Sequence, residues 1–268
     1  MTVNGKPGEE SARRDTWSRF WETKEDLDRV YPSSPAVLRA LVRHLGGEPA
    51  RVLEIGSGTG RDTAALAALG HHAVALDASF EALALTARAA PELVGRGIVA
   101  GDAFHLPFPD GAFDAVFHQG VLEHFGNPAA FLAENLRVTA PGGLLVADVP
   151  QRWHPWTAIK RALIRVDRWF AGWETEYSIV ELEALVRESG YELVESYGDT
   201  MVPSLAYRLV REGARRVSLD LPLRPPAPAV LRDARERLRA RLLAPRAARW
   251  IAHTIGVVAR RPTATALS

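Results

Sequence analysis

The sequence predicts an α/β protein with a doubly wound sheet, and three observations carry that expectation. Short apolar runs of strand length alternate with runs of helical periodicity from Val52 to Asp148, the pattern of a parallel sheet with helices on both faces. The first strand, Val52-Leu53-Glu54-Ile55, breaks directly into Gly56-Ser57-Gly58-Thr59-Gly60, and a helix follows at once. The next two strands each run into a carboxylate, Asp77 and Asp102.

Residues 1–15 are polar and read as a flexible lead. Trp17, Phe20, Trp21, Leu27 and Val30 recur at helical spacing, so a helix is expected to begin near Thr16. Ser34 should cap the next helix with Pro35 in its first turn. Val37, Leu38, Leu41, Val42 and Leu45 form its buried stripe, and Gly46-Gly47 ends it. After the glycine turn, Thr59 with Asp62 three residues on is placed to cap a helix filled by Ala64, Ala65, Leu66, Ala67 and Leu69. Strand 72–77 leads to a helix that Pro91 stops near Ala90, then to strands 97–101 and 112–117. Asn127-Pro128 starts a helix, and Pro141-Gly142-Gly143 reads as a turn into strand Leu144 to Asp148.

Beyond Pro150 the texture changes. Thr157 to Phe170 is an amphipathic helix, with Ile159, Leu163, Val166, Trp169 and Phe170 on one side and Lys160, Arg161, Arg165 and Arg168 on the other. Ser178 and Glu181 make a capping box for a helix that Gly190 closes, and strand 191–197 follows. Helices are expected at 203–217 and 228–243, separated by a proline-rich break, before a last strand over 251–259. No internal repeat is present.

Composition narrows the function classes. With 268 residues and 47% apolar content the chain can bury a substantial core. It has no cysteine, which excludes disulfides, thiolate metal sites and a cysteine nucleophile, and fits a cytoplasmic setting. No apolar run approaches the ~18 residues of a spanning helix. Net charge is +1, but residues 1–150 carry 13 basic against 19 acidic side chains, −6, and residues 151–268 carry 20 against 13, +7. That basic second half fits either an acidic partner or surface or plain solvated helix faces.

The strand, glycine turn and helix N-terminus together form a nucleotide-binding corner, because glycine tolerates positive φ and lets a ligand approach bare backbone. The spacing is G-x-G-x-G, which differs from the G-x-G-x-x-G of dinucleotide binders and argues against the rival reading of a nicotinamide-dependent dehydrogenase. With LEIGSGTG at 53–60, Asp77, GDAFHLPFPDGAFDAVF at 101–117, VLEHF at 121–125 and PGGLLVADVP at 141–150, the chain resembles class I S-adenosylmethionine-dependent methyltransferases of the small-molecule and quinone branch. IGVVARRP at 255–262 resembles the last, antiparallel strand of that family.

The resemblance implies a Rossmann-like sheet of seven strands with the last antiparallel, in one domain over 16–262. Cap elements are expected at 16–47, 151–178 and 200–249, with a loose tail at 263–268. It implies S-adenosyl-L-methionine as cofactor and S-adenosyl-L-homocysteine as product. Gly56, Ser57, Gly58 and Gly60 would lie along the methionine part, and Glu54 would hold the loop or reach the amino group. Asp77, followed by Ala78, would take the ribose hydroxyls. Asp102 and the amide of Ala103 would meet the adenine, and the carbonyl of His118 the methionine amino group. His124 is the candidate base. No metal is implied.

The acceptor must be read from the surroundings. Where amine-directed nucleobase enzymes carry a D/N-P-P-Y/F-like motif, this chain has His118-Gln119-Gly120-Val121, so a nucleic-acid partner is not expected. None of the 7 Trp lies within 51–149. Trp21, Tyr31, Gln119, Trp153 and Trp156 are the candidate acceptor-pocket residues, suggesting a small apolar or aromatic acceptor methylated first of all on oxygen. The tryptophans could equally bind the cap elements together. A cofactor-bound partner without transferase activity, or a cofactor-templated rearrangement, is the alternative. The 157–170 helix is expected to serve as a lid, the competing role being contact with an anionic membrane. The sequence leaves the oligomeric state open.

Overall fold

The computed structural model describes residues 9–23, 35–166, 168–169, 173–200, 203–222 and 246–263, with isolated positions at 228, 230, 234, 237, 238, 241 and 242. Seven strands form one sheet: β1 (Arg51–Ile55), β2 (His72–Asp77), β3 (Ile98–Ala100), β4 (Phe113–Gln119), β5 (Thr139–Pro150), β6 (Glu192–Asp199) and β7 (Thr254–Arg260). Their order is β3-β2-β1-β4-β5-β7-β6. The first five strands pair in parallel, and β7 runs antiparallel between β5 and β6. This is the expected doubly wound architecture.

Eight α-helices are described: α1 (Glu9–Glu22), α2 (Pro35–Leu45), α3 (Arg61–Ala68), α4 (Phe80–Ala89), α5 (Pro128–Val138), α6 (Pro155–Arg165), α7 (Ile179–Glu188) and α8 (Leu205–Arg216). The two faces of the sheet bury separate apolar sets. On one, Leu53, Ile55, Val116, Leu145, Ala147 and Val257 meet Phe131 and Leu132 of α5 and Ile179, Leu182 and Val186 of α7. On the other, Val52, Ala115, Phe117, Val146 and Val258 meet Val37 and Leu41 of α2 and Leu66 of α3. Neighbouring residues along each strand therefore divide between the faces, as a pleated strand requires.

Several boundaries differ from expectation. Helix α1 already begins at Glu9, ahead of Thr16 and inside the stretch read as a flexible lead. Leu27, Val30, Tyr31 and Ser34 lie outside the described residues, as does most of the 228–243 helix. Pro141-Gly142-Gly143 is not a free turn, because α5 passes straight into β5 at Thr139. The extra residues are absorbed where β4–β5 register jumps between Phe113 and Ala115, with Gly142 at φ 76°. The Ser178–Glu181 capping box forms as expected at α7.

Candidate active site

The glycine loop closes the C-terminal end of β1. Gly56, Gly58 and Gly60 adopt φ of 68°, 53° and 64°, a region that L side chains resist. The amides of Gly56 and Ser57 both donate to Leu76 O, at 2.8 and 3.1 Å, which ties the loop to β2. A Cβ on Gly58 would stand 2.8 Å from Trp21 Cζ2, one on Gly56 would stand 2.6 Å from Val121 Cγ2, and one on Gly60 would run into Thr86 of α4. The Ser57 hydroxyl is buried without a hydrogen-bond partner among the described residues.

Two carboxylates brace this loop. Glu54 accepts from the backbone N–H of Thr63 at 3.0 Å and from the Thr63 hydroxyl. The expected cap by Thr59 is therefore replaced: the N-cap position is Gly60, which offers no side chain, and Glu54 reaches over from the strand. Glu54 thereby ties the end of β1 to the first turn of α3. Burial, with Asp62 adding to it, pushes its pKa well above the ordinary carboxylate range. Asp77 accepts from Gly58 N–H through Oδ2 and from Ser79 N–H through Oδ1, both at 2.9 Å. Burial raises its pKa, and these backbone donors oppose the rise. Ala78 follows it on the surface, and Ser79 caps α4 through Ala82 N–H at 3.2 Å.

The remaining candidates spread along the same sheet edge. Asp102 accepts from Phe104 N–H at 2.9 Å and lies 2.9 Å from His105 Nδ1, so it organises its own loop beside Ala103. The His118 ring turns into the α5 face, 4.9 Å from the Phe131 ring, and burial lowers its pKa to about 3. His124 ends the turn after β4 and meets Trp17 edge-on at 5.0 Å. Trp17 in turn stacks with Trp21 at 6.5 Å, so α1 lies over both His124 and the glycine loop. Gln119 sits level with Asp148 of β5.

After β5, Trp153 is 57% exposed, while Trp156 packs against Trp169 at 6.3 Å. Helix α6 also turns differently from its sequence pattern. Lys160, expected among the solvated cations, is buried and paired with Glu174, which also accepts from Trp169 Nε1 at 2.6 Å. Arg161 pairs with Glu176, while Ile159 and Val166 from the expected apolar side are exposed. Glu123 lies near this pair, buried, its pKa raised to about 8 by desolvation and by Glu174. Its backbone carbonyl accepts from Thr175 N–H at 2.7 Å, joining the cap to the turn after β4. The roles of Thr63, Thr86 and Val121 around the loop had no signal in the sequence, since each arrives from another element.

Residues 53–147 match the family model described as a methyltransferase domain. A demethylmenaquinone methyltransferase of Beutenbergia cavernae is 42% identical over 125 residues, 45% of this chain and 50% of that protein. One from Parafrankia sp. is 32% identical over 177 residues, 57% of this chain and 68% of that protein. The chain spans about half the length of the first curated relatives it matches. Among solved structures, Burkholderia thailandensis 1,6-didemethyltoxoflavin-N1-methyltransferase, with bound 1,6-didemethyltoxoflavin and S-adenosylhomocysteine, aligns with TM-score 0.61 at 20% identity. That alignment covers 98% of this chain and 93% of that one. A [4+2]-cyclase aligns with the same TM-score and identity over 98% of each chain. At such identities the likeness is one of fold, and the fold is shared by more than one reaction.

Proposed function

This chain belongs to the class I S-adenosylmethionine-dependent methyltransferase family, in its small-molecule and quinone branch, and we propose that it methylates a ring carbon of a small aromatic acceptor of quinol type. The observation that carries the reading is the loop from Glu54 to Gly60: three glycines at positive φ, braced by Glu54 on one side and by Asp77 on the other. Its residues fit the cofactor. The Ser57 hydroxyl is buried without a hydrogen-bond partner among the described residues, the backbone of Gly56 and Gly58 carries no side chain of its own beneath Val121 and Trp21, and the N-terminus of α3 suits a carboxylate. Bound there, S-adenosylmethionine supplies a methyl group already activated by its sulfonium.

The protein's own part is positioning. Asp77 takes Gly58 N–H on Oδ2 and Ser79 N–H on Oδ1, with the Ala78 amide also near, and the lone pairs that remain on its two oxygens are assigned to the ribose hydroxyls. Asp102 and the Ala103 amide are assigned to the adenine, and the His118 carbonyl to the methionine amino group. His124 and Trp17, with Trp21, close the side of the site that α1 covers. Excluding water and fixing an acceptor in line supplies much of the acceleration in such transfers.

A carbon acceptor replaces oxygen, the first expectation, because the curated relatives are called demethylmenaquinone methyltransferases. Calorimetric titration tests the first half: S-adenosylhomocysteine should bind and NAD should not, and the reverse result would overturn the assignment. Incubating the protein with labelled methyl donor and 1,4-dihydroxynaphthalene, kept reduced, tests the second half. Label is expected on a ring carbon, and an exclusively O-methylated product would refute the carbon assignment.

A further inference from the structure

Across the C-terminal edge of the sheet, Gln119 of β4, Asp148 of β5 and Gly256 of β7 stand level, and Tyr197 of β6 completes the row. Paired residues share a face. This row belongs to the α2 face, one step beyond the buried Phe117, Val146 and Val258. Asp148 is 1% exposed, yet neither of its side-chain oxygens makes a hydrogen bond of ordinary geometry among the described residues. The hydroxyls of Tyr197 and Thr254 are buried in the same condition. Desolvation, with Asp199 and Glu123 adding to it, pushes the Asp148 pKa well above the carboxylate range, and the approach of Thr254 and Gln119 opposes this only in part.

A buried polar group without a partner costs a fold about 1–3 kcal/mol. Nothing in the packing of β5 asks for that cost, since Val146, Ala147 and Val149 around Asp148 are apolar and fully buried. The row also leads to the cofactor loop. Gly120 N–H donates to Asp148 O at 3.0 Å, and Val121, the next residue, rests on Gly56. Glu54 pairs with Phe117, so continuing that register brings Gly56 level with Gln119. Two strand spacings, about 10 Å, then separate Gly56 from Asp148.

We propose that Asp148 is the polar anchor of the acceptor: its carboxyl group hydrogen-bonds an oxygen substituent on the ring and so turns the reacting carbon toward the donor at the glycine loop. The inference rests on the methyl-transfer reading above and names its acceptor class as oxygen-bearing aromatics. A protonated carboxyl offers one donor and one acceptor, which suits a hydroxyl and a carbonyl oxygen alike. A site built to hydrogen-bond an oxygen also rejects analogues that lack it, because its own polar groups are then left buried and unpaired.

The test uses the full chain with Asp148→Val and Asp148→Asn, read by thermal melting without ligand and by tryptophan-fluorescence titration with reduced 1,4-dihydroxynaphthalene. Asp148→Val should melt above the wild type, since a buried carboxyl that Thr254 and Gln119 approach without a hydrogen bond of ordinary geometry gives way to an apolar side chain. It should bind the probe about tenfold to a hundredfold more weakly, the loss expected for one hydrogen bond in a dry site. Asp148→Asn, which keeps a donor and an acceptor, should recover part of that loss. S-adenosylhomocysteine should bind all three proteins equally. Lowered melting in both variants would make Asp148 a structural group and overturn the proposal, as would unchanged probe affinity in Asp148→Val or no probe binding by the wild type. Failure of the methyl-transfer reading is separate: it shows as a wild type that does not bind S-adenosylhomocysteine, whatever the melting and probe titrations give.

Discussion

Asp77 is bound into the loop it serves, and that changes what its removal should do. Its two oxygens hold Gly58 N–H and Ser79 N–H, so Asp77→Ala loses loop order together with the contact to the ribose. Affinity for S-adenosylhomocysteine should fall by about 1.5–3 kcal/mol, the range for hydrogen bonds to a charged group. Thermal melting should fall as well. Calorimetry and melting on the same sample check both, and a variant that binds as tightly as the wild type would remove Asp77 from the site. At this scale the sequence pointed to the loop only in combination: glycines at alternate positions after a strand also form plain tight turns, and the carboxylates Asp77 and Asp102 at the next two strand ends sharpened the reading. Partnerships across elements were not readable. Thr59 looked like the cap of α3, but Glu54 reaches Thr63 from the strand, a match fixed by geometry rather than by spacing in sequence.

Among the elements, α6 departs furthest from its pattern. Helical periodicity assigned Lys160 to solvent because apolar residues three and four positions apart define the opposite side. The helix instead turns Lys160 inward, where Glu174, 14 residues on, neutralises it and Trp169 donates to the same carboxylate. A cation that finds a buried anion from a later loop cannot be recognised from its own helix. Such a pair is fragile in one direction. Lys160→Met leaves Glu174 buried without its cation, only Trp169 still donating to it, which should cost about 3–5 kcal/mol, whereas Lys160→Met with Glu174→Leu should recover most of it. Denaturant unfolding of the single and double variants measures the difference, and equal losses in both would show that the pair carries no specific coupling. The strands and most helices of the core were legible, because each buries apolar residues at its own period. The cap was less so, since its contacts are polar and lie far apart in sequence.

For the molecule as a whole, buried titratable groups set a window of stability. Folding holds His118 and His253 neutral down to about pH 3, against 6.5 for the free side chain. The unfolded chain takes up those protons first, so stability falls as pH drops from about 6.5 toward 3. Glu123 acts in the opposite direction. It keeps its proton in the fold up to about pH 8 and releases it near 4.5 when unfolded, so its contribution is lost as pH rises through that interval. Glu54 and Asp148, also raised, share its sign. Melting temperature should therefore be highest in mild acid and decline toward pH 8, and Glu123→Gln should decline less steeply. Melts of both proteins from pH 5 to 9 decide it, identical slopes counting against a buried, protonated Glu123.

The placement of β7 bears on how the chain assembles. Among the described residues strand β6 pairs with β7 alone, and β7 is also what joins it to β5. Between the appearance of β6 and that of β7 a growing chain must carry residues 200–253 while two strand edges stand open. Open edges invite pairing with other chains. The stretch over those residues is thus made at the moment of greatest exposure, and mutations that weaken β7, at Ile255 or Val257 for instance, should reveal themselves as aggregation during synthesis before they are visible in the melting of purified protein.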